Sequence, residues 1–187
     1  MADAPTRRDA ARNRERLVGA ARDVFARRGP DVPLEEIARA AGVSRTTLHR
    51  HFPDRTALAA AVLRENVADI EARAVSLAGA DDGAQRLYHY LLDVQLDAPW
   101  LARMVAHDDA LGTRDLADRT AAALDPLVAH AHTVGALHPG TTTQDVLLTL
   151  PMAMAAQAAD ALDERTSRSG RVRAILHRGL FTTDPPG

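Results

Sequence analysis

The sequence predicts an all-α protein of about nine helices. Apolar residues recur three and four positions apart along almost the whole chain, which is the spacing of one face of an α-helix. Glycine and proline fall between these periodic segments, where helices end. No segment shows the alternation of apolar and polar residues, rich in β-branched side chains, that predicts a strand. We therefore expect helices packed on helices around an apolar core.

Composition narrows the class of protein. The chain has 187 residues, of which 46% are hydrophobic and 26% charged, as in an ordinary globular protein. It contains no cysteine, which excludes a disulfide framework, a thiolate metal site and a cysteine nucleophile. No apolar run approaches the ~20 residues of a membrane span, and the N-terminus lacks the apolar core of a signal peptide. We expect a cytoplasmic protein.

Charge is divided unevenly along the chain. Residues 1–55 hold 12 arginines against 8 acidic residues, a net of +4, whereas residues 56–187 hold 11 against 17, a net of −6. Together they give the overall charge of −2. The net positive charge of residues 1–55 indicates that this part of the chain binds an anionic partner. We predict two domains, a head (residues 1–55) and a body (residues 56–187).

The head begins with two predicted helices. The first covers residues 9–28 and ends at Gly29 and Pro30. The second is only about nine residues long, with Pro33 in its first turn and Gly42 after its end, because glycine reaches the left-handed backbone conformation at little cost. The apolar positions of the two helices are Leu17, Ala21, Val24, Phe25, Leu34, Ile37, Ala38 and Ala41.

A third helix follows a turn of Gly-Val-Ser. Ser44 is placed to cap it, since a serine hydroxyl accepts a free amide one turn into the helix. Leu48 and Phe52 lie four residues apart and are predicted to face inward, and Pro53 ends the helix. Asp54 then caps a fourth helix of about 20 residues, ~30 Å long, which joins the head to the body.

Two short helices joined by a glycine turn form the pattern of a helix-turn-helix. The polar residues on and beside its third helix are of the types that read base edges and hold phosphates, so the head is predicted to bind DNA. They are Arg45, Thr46 and His49 on the outward face, and Ser44, Thr47, Arg50, His51 and Arg55 beside it. A solvated helical hairpin and a helix-turn-helix that binds protein are the alternatives.

Residues 14–63 resemble the DNA-binding domain of the tetracycline repressor (TetR) family. The motifs are Leu-Val-x-Ala-Ala-x-x-x-Phe-Ala-x-x-Gly from Leu17 to Gly29, Ile37-Ala38-x-x-Ala41-Gly42-Val43-Ser44, and Thr47-Leu48-His49-Arg50-His51-Phe52 followed by Pro53-x-Arg55-x-x-Leu58. The resemblance implies a homodimeric transcriptional regulator, usually a repressor. Such a protein binds a pseudo-palindromic DNA operator and is released from it by a small-molecule effector.

The resemblance also implies roles for individual side chains. Bases would be faced by Arg45, Thr46 and His49, phosphates would be touched by Thr47, Arg50, His51 and Arg55, and Ser44 would cap the helix. The sequence departs from the family pattern in three places. Val32 and Pro33 stand where threonine or serine often binds phosphate, so that contact is not carried over to this chain. His49 stands where the family usually has tyrosine, and Glu35 is acidic where some members carry a basic residue. No favourable phosphate contact is therefore expected from Glu35.

The body is predicted to contain five more helices. Apolar stripes mark four of them, at residues 87–92, 100–105, 116–127 and 172–180, and the fifth is alanine-rich over about 143–161. Residues 134–143 are predicted to be a loop and residues 163–170 a polar connection. In the family the last two helices form the dimer interface. The residues that imply such an interface here are Ala153, Ala155, Ala156, Ala158, Ala159, Ala161, Val172, Ile175, Leu176 and Leu180. Burial of the alanine-rich helix inside one chain is the alternative.

The scarce aromatic residues of the body mark a candidate ligand site. Two predicted helical faces carry them, with Tyr88, Leu92 and Gln95 on one helix and Trp100, Met104 and His107 on the next. Apolar faces with a few polar groups are typical of small-molecule sites, and the family's pocket lies within the body helices. The alternative is that these residues belong to an ordinary core.

No pattern of a catalytic, metal or cofactor site is present, so we expect no enzyme, metal or cofactor. His107, Asp108 and Asp109 are adjacent and would point in different directions from a helix, which prevents one ion from taking all three. There is no glycine-rich phosphate loop and no nucleophile elbow. A helical enzyme is the remaining rival, and turnover of a substrate would support it.

Overall fold

The computed structural model describes residues 7–97, 113–158 and 165–184. Its eight helices within these ranges are α1 (Arg7–Arg28), α2 (Leu34–Ala40), α3 (Arg45–His51), α4 (Arg55–Ser76), α5 (Gly83–Asp97), α6 (Thr113–Thr133), α7 (Thr143–Ala158) and α8 (Arg165–Leu180). The all-α prediction is confirmed, and the predicted helix around Trp100 lies outside the described residues. Among the helices described, none combines the length and apolarity needed to cross a bilayer.

The head is built around one apolar core to which α1, α2, α3 and the first half of α4 all contribute. Its fully buried side chains include Leu17, Phe25, Ile37, Leu48 and Leu58. Burying a side chain of this size stabilises the fold by about 1.5–3 kcal/mol. The residues predicted to face inward therefore hold α2 and α3 against α1, and the polar side chains of α3 remain outside.

Helix α4 belongs to both parts of the molecule. Its buried apolar residues between Leu58 and Val67 pack in the head core, whereas Ile70, Ala74 and Leu77, the residue that follows the helix, pack in the core of the body. The change from one core to the other lies between Val67 and Ile70, within the helix. The predicted domain boundary after residue 55 coincides with the start of α4 and stays a prediction.

The body packs α5 to α8 against the second half of α4. Its core is mostly aliphatic, and the fully buried side chains include Leu87, Leu92, Leu124 and Ala153. The loop between α6 and α7 is tied to the end of α8 by an isolated antiparallel bridge between Leu137 and Phe181. The amide of residue 138 donates to the carbonyl of residue 180 at 3.0 Å, which fixes the two segments together.

One predicted boundary in the body is wrong. Residues 163–170 were expected to be a polar connection, but α8 already begins at Arg165. The prediction relied on apolar spacing, and the first turns of this helix are polar. A helix needs apolar residues on one face only, so its beginning carried no periodic signal.

Candidate nucleic-acid interface

The turn between α2 and α3 depends on Gly42. Its φ of +64° lies in the left-handed region, and a Cβ at this position would meet Arg16 Nη2 at 2.5 Å. The Val43 amide donates to the Ala38 carbonyl at 2.9 Å, which closes the end of α2. Arg16 Nη2 on α1 donates to the Gly42 carbonyl at 3.3 Å. The turn is thus fixed by its own backbone and by α1.

Side-chain caps begin both helices that follow the turn. Ser44 Oγ accepts from the Thr47 amide at 3.1 Å, and Asp54 Oδ1 accepts from the Ala57 amide at 2.8 Å. Each cap satisfies an amide that the first turn of a helix leaves without a backbone partner. Both predicted caps are confirmed, and they fix where α3 and α4 begin.

The inner face of α3 is fully used in packing. Leu48 has no exposed surface and Phe52, which follows the last residue of the helix, is 3% exposed. Arg14 on α1 lies over the Phe52 ring with its guanidinium carbon 5.3 Å from the ring centre. This packing occupies the inner side of α3, so the opposite side of the helix is free to face a partner.

Four of the predicted DNA-binding residues form the exposed side of α3. They are Arg45, Thr46, His49 and Arg50. On a helix, positions three and four apart lie next to each other, so these four side chains make one continuous polar surface. We call these four residues the recognition surface. Its arrangement agrees with the predicted roles, which remain predictions.

The other predicted DNA-binding residues are placed differently. Ser44 and Thr47 join in the cap, with their hydroxyl oxygens 2.9 Å apart. Burial, followed by the charges of Arg50 and Arg14, lowers the pKa of His51, whose Nε2 is buried without a hydrogen-bond partner among the described residues. Its imidazole is therefore neutral at neutral pH and would contact a phosphate as a neutral group.

Arg55 has a structural partner that the sequence did not reveal. Its Nη1 donates to the carbonyl of Pro30, in the turn between α1 and α2. The side chain is partly buried, and it ties the beginning of α4 to the head. A guanidinium has five N–H donors, so this bond leaves others for a phosphate.

Arg45 of the recognition surface contacts two neighbouring side chains. Arg45 Nη1 lies 3.1 Å from Glu35 Oε1 on α2, and Arg45 Nε lies 3.5 Å from His49 Nε2 one turn along α3. The Arg45 side chain is 68% exposed. Sequence reasoning missed Glu35 because nothing in the local pattern shows which arginine an exposed glutamate will meet.

The structure describes three of the six candidate ligand residues, and two of these three are packed in the body core. Tyr88 and Leu92 are fully buried, and the Tyr88 hydroxyl is hydrogen-bonded to Thr149 on α7 at 3.2 Å. Burial raises the pKa of the Tyr88 hydroxyl. Gln95 is half-buried. The other three predicted ligand residues, Trp100, Met104 and His107, lie outside the described residues.

An open groove lies on another side of α5. It has a volume of about 530 Å³ and is lined by Asp69, Ala72, Arg73, Ser76 and Tyr90. The guanidinium carbon of Arg73 lies 4.2 Å from the centre of the Tyr90 ring. This groove contains none of the predicted ligand residues.

Comparison with known proteins identifies the head. The family model described as "Bacterial regulatory proteins, tetR family" matches residues 17–62, the segment that contains α2, α3 and the adjoining halves of α1 and α4. The chain is also 33% identical over 94 residues to the uncharacterized HTH-type transcriptional regulator TtgW of Pseudomonas putida. This alignment covers 50% of the chain and 67% of that regulator.

Solved structures extend the likeness to the whole fold. A TetR transcription regulatory protein from Mycobacterium vanbaalenii matches with a TM-score of 0.70 and 29% identity, over 95% of this chain and 100% of that one. A TetR transcriptional regulator from Streptomyces coelicolor matches with a TM-score of 0.68 and 24% identity, over 91% and 99%. Together with the helix-turn-helix geometry, the match of residues 17–62 to the family model and the 33% identity to the Pseudomonas putida regulator establish that the chain belongs to the TetR family of bacterial transcriptional regulators.

Proposed function

We propose that this regulator is a homodimeric repressor that binds a pseudo-palindromic operator and is released by a small molecule. The family consists of transcriptional regulators, which bind DNA operators and small-molecule effectors, typically as dimers. The DNA-contacting surface, the dimer interface and the effector site are argued in turn from different regions of the structure.

The observation that carries the DNA-binding proposal is the recognition surface of α3. Packing of Leu48 and Phe52 determines which side of the helix faces outward, and that side carries two arginines, a threonine and a histidine. An α-helix fits the major groove, where arginine donors match guanine acceptors. Arg45, near the N-terminal end of α3, is proposed to read a base, because recognition helices contact base edges with their N-terminal residues.

A homodimer is supported by an apolar strip on the outer side of α7. Leu148 is 60% exposed and Met152 53% exposed, and Pro151 and Ala155 are exposed beside them. On α8, Ile175 is 58% exposed. A second copy of the chain would bury these side chains and supply the second head, since one short helix contacts few bases. Ala153 and Leu180, by contrast, pack inside the chain's own body.

The effector is proposed to be a mainly apolar small molecule bound beside α5, between the Gln95 end of that helix and the segment from Trp100 to His107. Tyr88 and Leu92 would form the floor of the site, because both are already buried in the body core. Trp100 is the single tryptophan of the chain, so its fluorescence reports directly on this region. Compounds that change this fluorescence should also weaken operator binding, since effector binding and operator release are linked.

The decisive experiment selects bound sequences from random duplex DNA with the full chain. A pseudo-palindromic sequence with half-sites about one helical turn apart, or a multiple of it, is expected. Arg45→Ala should cost about 1–3 kcal/mol and relax the preference at one position of each half-site. Arg50→Ala, a matched change on the same exposed surface, should weaken binding to all sequences and reduce the salt dependence by about one phosphate contact.

Two results would contradict the proposal. Recovery of no preferred sequence would remove operator recognition. Equal weakening of all sequences by both substitutions would show that Arg45 reads no base. Activation, rather than repression, of a reporter gene placed behind the selected operator would overturn the repressor role alone.

A further inference from the structure

Two adjacent glutamates in the first turn of α2 have different partners. Glu36 pairs with Arg28 at the end of α1, whereas Glu35 pairs with Arg45 of the recognition surface, with Oε1 and Nη1 3.1 Å apart. Both carboxylates lie in the first turn of α2, at the positive end of its dipole. They differ in the helix that they contact, because Glu36 pairs with α1 and Glu35 pairs with α3.

The pair between Glu35 and Arg45 restricts a side chain that would otherwise be free to move. An exposed arginine samples many rotamers, and a base contact requires one of them. Glu35 holds the guanidinium from the α2 side, and His49 Nε2 lies 3.5 Å from Arg45 Nε on the other side. Because the guanidinium has five N–H donors, these contacts leave the Nη2 group for a base edge.

Glu35 also places a negative charge where DNA must approach. A carboxylate near phosphates is repelled, and the repulsion is largest when no cation compensates it. Non-specific binding depends almost wholly on phosphate contacts, so it bears the full cost of this charge. A specific site recovers part of that cost, since there the oriented Arg45 side chain meets the base it fits.

We propose that Glu35 is a specificity-determining residue that positions Arg45 for the operator and weakens binding to all other DNA. The proposal rests on the proposed DNA-binding function of α3. It differs from the expectation that Glu35 merely lacks a phosphate contact. In this reading the acidic residue acts through Arg45 and raises the ratio of operator affinity to non-specific affinity.

The experiment compares Glu35→Gln with Glu36→Gln in the full chain. These substitutions remove the same charge from adjacent positions in the same helical turn, and Glu36→Gln is therefore the matched control. Dissociation constants are measured by fluorescence anisotropy for the selected operator, for an operator changed at the base pair assigned to Arg45, and for an unrelated duplex. The operator preference is the ratio of the affinity for the operator to the affinity for the unrelated duplex. Glu35→Gln should lower this ratio about two- to fivefold, which is the scale of an exposed ion pair. Most of the change should come from tighter binding to the unrelated duplex. Glu36→Gln should leave that preference unchanged.

A double-substitution cycle tests whether Glu35 acts through Arg45. In the Arg45→Ala background, Glu35→Gln should no longer alter the preference at the assigned base pair, because the side chain that Glu35 positions is absent. Tighter binding of Glu35→Gln to the unrelated duplex is expected in both backgrounds, because it depends on the carboxylate charge alone. If Glu35→Gln changed the preference at the assigned base pair by the same factor with and without the Arg45 side chain, the positioning role would be overturned. Thermal unfolding of each variant checks that both substitutions leave the head equally stable.

The outcomes separate this inference from the function on which it rests. If the parent selects an operator but Glu35→Gln keeps its preference, or if both glutamine variants lose it equally, the inference is wrong and operator recognition stands. If the parent selects no sequence at all, operator recognition fails and the inference fails with it.

Discussion

A pair of stacked histidines in the body, one fully and one partly buried, predicts how the stability of the fold depends on pH. His89 on α5 and His177 on α8 stack with ring centres 5.1 Å apart, and His89 Nε2 lies 2.9 Å from His177 Nδ1. His177 is fully buried, and its Nε2 lies 2.9 Å from the carbonyl oxygen of Thr183. A carbonyl only accepts, so His177 Nε2 carries a proton. In the neutral ring, Nδ1 then accepts from His89 Nε2–H.

The neutral form of His89 is the one that the fold favours. Burial, followed by the charges of His177 and Arg173, lowers the pKa of His89 from 6.5 to about 4. The folded state therefore binds a proton less readily than the unfolded chain does. The resulting stability is fully present above pH 6.5 and is lost as the pH falls towards about 4. A pKa difference of this size corresponds to at most about 3 kcal/mol, and because the ring is only partly buried we expect about 1–2 kcal/mol.

His89→Gln removes the titrating group and keeps an amide that can donate to His177. The free energy of unfolding is measured by urea denaturation across the interval from about pH 4 to pH 7, at constant protein concentration because a dimer's stability depends on it. The parent should lose about 1–2 kcal/mol more than the variant over this interval. His49→Gln, at an exposed histidine, controls for the loss of an imidazole. Parallel curves for the parent and His89→Gln would refute the argument.

Three further predictions concern the turn, the cap and the dimer. Gly42→Ala should destabilise the head by about 1–2 kcal/mol in thermal unfolding, since a φ of +64° is strained for a residue with a Cβ, and the Cβ would also displace the Arg16 guanidinium. An unchanged melting temperature would contradict this prediction. Ser44→Ala should cost about 1 kcal/mol through loss of the 3.1 Å bond from the Thr47 amide, measured in the same way, and an equally stable variant would show that the cap is not needed. Met152→Arg should give a monomer in sedimentation velocity, because it places a charge in the proposed interface. Val75→Arg, at an exposed valine of α4, is the control and should remain a dimer. A monomeric parent would rule out the proposed interface.

The helix boundaries of the head could be predicted because each of them has a local cause in the sequence. Gly42 allows the turn, Ser44 and Asp54 supply the caps, and Pro53 ends the third helix. These effects act within three or four residues along the chain, so the sequence displays them directly. The outward side of α3 followed from the inward position of Leu48, since a helix that buries one side exposes the other.

The partners of the charged side chains could not be predicted in this way. Arg45 meets Glu35, and Arg55 meets the carbonyl of Pro30, only because separate helices are packed together. A long side chain can reach many positions, and which one it occupies depends on the tertiary arrangement. The same limit applies to Tyr88, whose burial against α7 and Phe181 depends on contacts between distant parts of the chain.

We propose that an effector would act on the DNA-binding head through α6 as well as through α4. The contact between these two helices is the most extensive in the described chain. Arg119 donates to both carboxylate oxygens of Glu71 at 2.8 Å, a geometry that resists sliding in either direction. Leu116, at the start of α6, packs in the head core, whereas Leu124 packs in the body core. Packed cores shift between discrete arrangements rather than deforming continuously. An effector that displaced α6 would therefore move α4 and Leu116 together, and the head would turn with them.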